Sequence, residues 1–251
     1  MGLEAIFNEE NLRVLEKNGF EFSKKYIAVR KKENRVLSDE QVLKLPYISK
    51  DNPYKKEWKV RQKSANRFLK YLKKKENIAI LDIGCGNGWF TNKLATISTS
   101  NKIVGLDVNV LELEQAHRVF KKENLRFVCA DIFERKEFFE NSFDMVVLNA
   151  SAQYFPDFDK LIKNLETFIK AKGEIHIIDS PFYEFTEIEL AKKRTHQYYL
   201  NLGFPEMKTN YFHHCIEEIK NFEYLYMPEK GRVKRFFAKD TPFPWIRFIK
   251  K

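Results

Sequence analysis

Residues 80–90 read Ile-Leu-Asp-Ile-Gly-Cys-Gly-Asn-Gly-Trp-Phe, and this stretch decides the fold. The apolar run Ile78–Ile83 has the length and composition of a buried strand. Gly84, Gly86 and Gly88 then break it, and an amphipathic segment follows. Glycine at such a turn accepts φ > 0 and lets a ligand approach the backbone closely. The helix that follows opens with free N–H groups. In open α/β sheets ligands bind at this carboxyl edge of the strands.

Outward from the turn the pattern repeats. Apolar runs Ile103–Val108, Leu125–Ala130, Phe143–Leu148 and Glu174–Ile178 alternate with amphipathic segments, clearest at Val110–Lys122 and Asp159–Lys170. This alternation predicts a mostly parallel sheet with helices on both faces, an α/β Rossmann-like architecture. A helix is expected over 57–75, where Trp58, Arg61, Ala65, Phe68, Leu69 and Leu72 share a stripe. Another is expected over 184–202, with Phe185, Ile188, Ala191, Thr195, Tyr199 and Leu202 along one side, and a short one at 215–220. Strands are expected at 222–227 and 245–250, joined by a basic loop with Pro228, Gly231, Pro242 and Pro244. Nearer the start, residues 3–17 read as a short helix. EFSKKYIAV and NRVLS read as the arms of a small hairpin about the charged RKKE.

The ligand follows from the turn and the strand ends. A P-loop needs Gly-Lys-Ser/Thr after its glycines, and Trp89-Phe90 stands there instead. The dinucleotide fingerprint needs a last glycine where Trp89 stands, and Asp82 would repel a pyrophosphate. An acid two residues before the first glycine suits a cation such as an α-amino group. Asp107 ends the second strand 19 residues beyond Gly88, near the ~20-residue spacing of an acid that accepts from ribose hydroxyls. Asp131, after the third strand, can accept from an exocyclic adenine amine, and Asn149 ends the fourth. An amino-acid end, a ribose and an adenine together describe S-adenosylmethionine.

Residues 78–180 resemble the class I S-adenosylmethionine-dependent methyltransferases, in particular the broad type 11 group. The D-x-G-x-G-x-G motif stands as Asp82-Ile83-Gly84-Cys85-Gly86-Asn87-Gly88, with Asp107 and Asp131 in register and Phe143–Phe155 at the fourth strand and its loop. The resemblance implies a seven-strand sheet whose antiparallel last strand inserts between the fifth and sixth. It implies a chain divided into an N-terminal extension and possible lid (1–56), a cofactor half (57–180), an acceptor-side insert (181–214) and C-terminal strands (215–251). It implies cofactor contacts from Asp82, Gly84, Cys85, Gly86, Asp107, Asp131 and Asn149, with Val108 and Ile132 beside the two acids. Two departures stand out. The loop after Asn149 has Ala152-Gln153-Tyr154 where the family often has His-His or Glu-His, and the first 50 residues have no counterpart in the minimal fold.

Several residues read two ways. Arg61 and Tyr54 either close over the cofactor carboxylate or lie on a basic surface. Asp107 and Asp131 are ligand acids or strand-end caps. His213 and His214 hold a base for the acceptor proton or cap the helix after them. Tyr154, Asp179 and Tyr183 are expected near the transferring methyl, since the fourth and fifth strand ends face the same crevice. Cys85 reads as a small filler. Cys85, Cys129 and Cys215 have neither disulfide nor zinc spacing, and no His/Cys/Asp/Glu cluster has metal-ligand spacing.

The remaining readings are coarser. Net charge is +10, distributed as +9 over residues 1–77, −3 over 78–180 and +4 over 181–251. Basic ends suit an anionic partner, but 33 lysines against 12 arginines favour a solvated face over base readout. No Pro-Cys nucleophile or Asn-Pro-Pro-aromatic motif is present, so nucleobase methylation is demoted. The reading is O- or N-methyl transfer to a small-molecule, sugar or lipid-like acceptor, anionic character included. RNA methylation and non-catalytic S-adenosylmethionine binding stand as alternatives. No apolar stretch nears the ~20 residues of a membrane span, and the N-terminus lacks a signal-peptide pattern, so a cytoplasmic protein is expected.

Overall fold

The computed structural model of the chain describes residues 3–8, 12–14, 20–134, 139–229 and 240–251. Its N-terminal part holds α1 (Leu3–Phe7), β1 (Leu12–Val14), α2 (Phe20–Lys32) and α3 (Asp39–Lys44). The central part runs α4 (Lys55–Leu72), β2 (Ala79–Ile83), α5 (Trp89–Ala95), β3 (Lys102–Asp107), α6 (Val110–Val119), β4 (Leu125–Cys129), β5 (Phe143–Asn149), α7 (Phe158–Phe168) and β6 (Ile169–Ile178). Then follow α8 (Ile188–Leu202), β7 (Glu223–Tyr226) and β8 (Trp245–Ile249).

The strands lie in the order β1-β4-β3-β2-β5-β6-β8-β7. The ladders from β1 to β6 are parallel; β8 is antiparallel to both β6 and β7. The expected seven-strand sheet is thus β4 to β7, with the last strand between the fifth and sixth of that set. The N-terminal extension adds an eighth, β1, beside β4.

Side-chain alternation sorts the sheet into two faces. Leu81, Ile83, Val104, Leu106, Val128, Ala130, Val146 and Leu148 pack with Leu161, Leu165 and Phe168 of α7. Ile80, Ile103, Phe127, Cys129, Met145 and Val147 pack on the other face with Phe68 of α4, Phe90 of α5 and Leu113 of α6. By the same period of two, Asp82, Asp107, Asp131 and Asn149 fall on this second face. Four strand ends therefore present polar groups on one side of the sheet.

Four expectations need correction. The hairpin over residues 21–38 is instead α2 followed by a loop. Phe22, Tyr26 and Arg30 are spaced as one helix face, RKKE lacks hairpin-turn residues, and Asn34 at φ 56 marks the left-handed stop just after the helix. The expected helix over 3–17 covers only Leu3–Phe7, with β1 beyond it; residues 15–17 lie outside the described residues. The helix at 215–220 is a four-residue 3-10 turn, Ile216–Ile219. Within 184–202, Ala191 and Tyr199 are buried as expected, but Phe185 is 77% exposed because it sits on a separate 3-10 turn before α8. The stretch around Gly231 lies outside the described residues. Among the described residues no helix is long and apolar enough to cross a membrane.

Two left-handed glycines give a test. Gly203 ends α8 at φ 84 with no atom near the place of a Cβ, whereas a Cβ on Gly84, at φ 71, would lie 2.5 Å from the Cβ of Ser151. Gly203→Ala should cost about 1 kcal/mol, the left-handed penalty alone. Gly84→Ala should add an overpacking cost, for a loss on the order of 3 kcal/mol or more. Urea denaturation of both variants checks this; equal losses would refute it.

Candidate active site

Chain order along the sheet reverses between β2 and β5, and the crevice opens there. After β2, the N–H groups of Gly84 and Cys85 both donate to the carbonyl of Leu106, at 2.8 and 3.1 Å. The Gly86 N–H donates to Asp107 Oδ2 at 2.8 Å, and the Asn109 N–H to Asp107 Oδ1 at 2.9 Å. Ser151, just past β5, donates its hydroxyl to the carbonyl of Ile83 at 2.7 Å. The turn is held at its shape by partners on β3 and after β5.

The cleft has a volume of about 520 Å³. Asp82, Gly84, Cys85, Gly86, Asp107, Val108, Asp131, Ile132 and Asn149 all line it, as do Arg61, Tyr54 and Tyr154. Every cofactor residue expected from the sequence is therefore brought to one cavity. Asp82 is buried and takes the Thr91 hydroxyl at 2.7 Å; burial, with the Asp107 carboxylate adding to it, pushes its carboxyl up to about 7. Burial also raises Asp107, against the backbone N–H groups that hold it down. Asp131 Oδ1 accepts from the Phe133 N–H at 2.8 Å. Asn149 Oδ1 is buried and has no hydrogen-bond partner among the described residues.

Two lining residues are committed to protein partners. Arg61 donates from Nε to Glu57 Oε1 at 3.1 Å, and Tyr54 donates its hydroxyl to the carbonyl of Glu33 at 2.6 Å. They wall the cleft rather than project freely into it. Burial holds the Cys85 thiol well above its ordinary value, so it stays an unreactive filler.

The expected acceptor-side residues divide. Tyr154 lines the cleft, its ring meeting Tyr26 at 5.9 Å and Phe22 at 6.3 Å between centroids. His213, His214 and Asp179 do not line it, which corrects the expectation that they face the transferring methyl. His214 is buried between Phe158 and Phe182, and its Nε2–H donates to the carbonyl of Ala152 at 3.0 Å. His213 Nε2 lies 2.9 Å from the Thr195 hydroxyl. Both line a second cavity instead. A four-residue 3-10 turn offers no helix end to aim them at the crevice. Asp179, at φ 52, turns back under α4, where Ser64 donates to its Oδ1 at 2.5 Å. Tyr183 pairs with Cys215 and stacks near His213 at 5.4 Å.

Several lining residues escaped the sequence reading, four of which bear on the chemistry. Phe22, Tyr26 and Arg30 come from α2, and Glu112 from the first turn of α6. The i, i+4, i+8 spacing of the first three was the available signal. Arg30 is partly buried, its side chain 21% exposed; it donates to the Tyr26 hydroxyl at 2.7 Å and to Glu33 at 3.2 Å. Burial, with Asp107 nearby, pushes Glu112 up to about 7. Among the described residues no three His, Cys, Asp or Glu side chains gather as a metal site.

A family profile described as "Methyltransferase domain" matches residues 74–240, well over half of the chain. A malonyl-[acyl-carrier protein] O-methyltransferase of Acetivibrio thermocellus is 28% identical over 155 residues, 61% of this chain and 54% of that one. A ribosomal RNA small subunit methyltransferase C of Buchnera aphidicola is 32% identical over 107 residues, 39% of this chain and 32% of that one. The chain spans about half the length of the malonyl-[acyl-carrier protein] relatives it matches. In structure it resembles the magnesium protoporphyrin IX methyltransferase of Synechocystis PCC 6803 with bound S-adenosylhomocysteine, at TM-score 0.58 and 12% identity over 94% of this chain and 98% of that one. This chain belongs to the methyltransferase-domain family and has the fold of the class I S-adenosylmethionine-dependent methyltransferases.

The crowded carboxyls predict a titration. Asp82 and Glu112 are raised in the fold to about 7. The ligand-free fold therefore holds protons that the unfolded chain releases near pH 4. That stabilisation is complete below pH 4 and is lost as pH rises through 7. Carboxyl ¹³C NMR should show two groups titrating near pH 7, assigned with Asp82→Asn and Glu112→Gln. Thr91→Val, which removes a bond to the ionised form, should move Asp82 higher still. Ordinary carboxylate titration of both groups would refute this.

Proposed function

We propose that this chain transfers a methyl group from S-adenosylmethionine to an oxygen or nitrogen of a small acceptor seated against Phe22, Tyr26 and Tyr154. The observation that carries the reading is the convergence of Asp82, Asp107, Asp131 and Asn149 on one cleft about the glycine turn, with Asn149 Oδ1 buried and unpartnered among the described residues. S-adenosylmethionine, when bound, supplies a methyl activated on a sulfonium. The chain's part is to bind, orient and exclude water.

Asp107 takes the ribose hydroxyls, Asp131 the adenine amine, and Val108 and Ile132 flank the base. Asp82 and Asn149 face the α-amino group, while the glycine backbone allows close approach. Tyr54 and Arg61 stand at the carboxylate end. On the acceptor side Arg30 gives the aromatic wall a positive charge, which suits an anionic acceptor. The oxygen acceptor named for the malonyl-[acyl-carrier protein] relatives supports a carboxylate. A carboxylate is already ionised at neutral pH and needs no base, in keeping with His213, His214 and Asp179 lying outside the cleft. Tyr154 then orients the acceptor oxygen.

The resemblance to an RNA enzyme is confined to 39% of the chain. The enclosed aromatic wall favours a small acceptor over an RNA segment. Labelled S-adenosylmethionine offered to metabolite and RNA fractions separates the two. Label in RNA, lost with rising salt, would overturn the small-acceptor reading, and no label in either would leave a binding protein.

Asp107→Ala should weaken S-adenosylhomocysteine at least tenfold by calorimetry, since charge-assisted bonds contribute roughly 1.5–3 kcal/mol each. Arg30→Met should raise KM for a carboxylate acceptor about tenfold and leave cofactor affinity within twofold. Equal effects on both ligands would sink the assignment of Arg30.

Residues 46–62 are proposed to close over the cofactor, since Asn52, Tyr54, Trp58 and Arg61 line the cleft from this segment. Hydrogen exchange should slow there on adding S-adenosylhomocysteine. Protection limited to 82–90, 107–109 and 131–133 would refute the closure.

A further inference from the structure

A second cavity of about 500 Å³ lies beside the cleft and shares Pro156 with it. The wall between them is aromatic: Tyr154 on the cleft side meets Tyr211 on the other at 6.0 Å between centroids. Its charge differs from that of the cleft. Lys192, Lys193 and His196 come from α8, Lys208 from the 3-10 turn after it, and His213 from the segment that returns. The acid that lines it, Glu218, is already engaged by the Cys215 N–H at 2.5 Å and lies 3.8 Å from His214 Nδ1. Lys192 shares its ammonium with Glu189 at 2.9 Å, whereas Lys193 and Lys208 make no ion pair among the described residues.

We propose that this cavity is an anion subsite that takes a phosphate ester group carried by the acceptor or its carrier. The inference rests on the reading of the cleft as the methyl-transfer site. Lysine ammoniums bind a phosphate as point charges with rotatable donors. A recess lined mainly by one sign of charge concentrates the opposite ion, and here three lysines face a single glutamate. The cofactor end of the cleft is a poorer place for a phosphate, because Asp82, Asp107, Glu112 and Asp131 line it. The depressed His213, lowered by burial and then by the charge of Lys192, agrees with a positive field in the recess. The acceptor's reacting end would lie against Tyr154, and its phosphate would reach past Pro156 into the lysines. The histidines misplaced for catalysis thereby gain a binding role.

The test uses the full chain, isotopically labelled and saturated with S-adenosylhomocysteine, titrated with inorganic phosphate, methyl phosphate and dimethyl phosphate. Saturable shifts of the His196 and His213 ring signals with either ester are expected. The monoester arm marks a terminal phosphate on the acceptor, and the diester arm an internal one in a carrier. The double variant Lys193→Gln, Lys208→Gln should weaken the response about tenfold and leave S-adenosylhomocysteine affinity within twofold. No saturable shift with either ester would overturn the proposal. Equal binding by the double variant would do so too, marking an adventitious ion only. Failure of S-adenosylhomocysteine to bind would instead strike the reading of the cleft, and the ester titration of the ligand-free protein would still decide the subsite.

Discussion

The close approach of Gly84 to Ser151 is the constraint on which the site depends. No side chain fits at residue 84, where a Cβ would sit 2.5 Å from that of Ser151. This lets the ends of β2 and β5 meet at the point where strand order reverses. Ser151 then donates to the Ile83 carbonyl, and the Leu106 carbonyl takes two N–H groups of the turn. The Gly86 N–H fixes Asp107. Backbone groups, which cannot change rotamer, thus hold the carboxylate that ends β3. The floor of the cleft is set by the sheet rather than by flexible side chains.

That rigidity has an electrostatic cost. Asp82 is buried, with Asp107 and Glu112 half-buried near it, and each is raised by desolvation, Asp82 and Glu112 also by the charge on Asp107. The nearby cations are shared with other partners: Arg61 with Glu57, Arg30 with Tyr26 and Glu33, its charge only partly offsetting the rise of Glu112. Protonation relieves the crowding in the free fold, and a cationic ligand relieves it otherwise. A site with surplus buried carboxyls is matched to a ligand that brings positive charge.

Much of this was legible because a strand alternates with a period of two. Once the apolar runs are placed, Asp82, Asp107, Asp131 and Asn149 must share a face, and the glycine spacing says which end. The extension was harder to read. Phe22, Tyr26 and Arg30 share a helical spacing, but the short apolar runs on either side of RKKE read as strands about a turn, and the partner of that face, Tyr154, is far away in sequence. His213, His214 and Asp179 were misplaced for a different reason. Strand order says which residues reach the crevice edge, but Asp179 turns back through a left-handed φ of 52 that a non-glycine sequence does not announce. A 3-10 turn in place of a helix redirected the histidines.

The attachment of α2 bears on how ligands enter. Its buried apolar residue, Val29, packs in a small cluster with Tyr199 and Met207, apart from the two cores on the sheet. Ring contacts of Phe22 and Tyr26 with Tyr154 add to this, as do polar contacts: the Ser23 hydroxyl donates to the Val108 carbonyl, Tyr54 to the Glu33 carbonyl, and Tyr198 to the Glu33 carboxylate. Contacts of this kind contribute about 0.5–1.5 kcal/mol each, whereas truncating a core phenylalanine costs roughly 3–5 kcal/mol. Among the walls of the cleft, α2 is therefore the one whose displacement disturbs the sheet cores least. Glu33 touches the α4 side through Tyr54 and the α8 side through Tyr198. A movement of α2 must accordingly alter the cofactor wall and the acceptor insert together, with Glu33 one of the links between them.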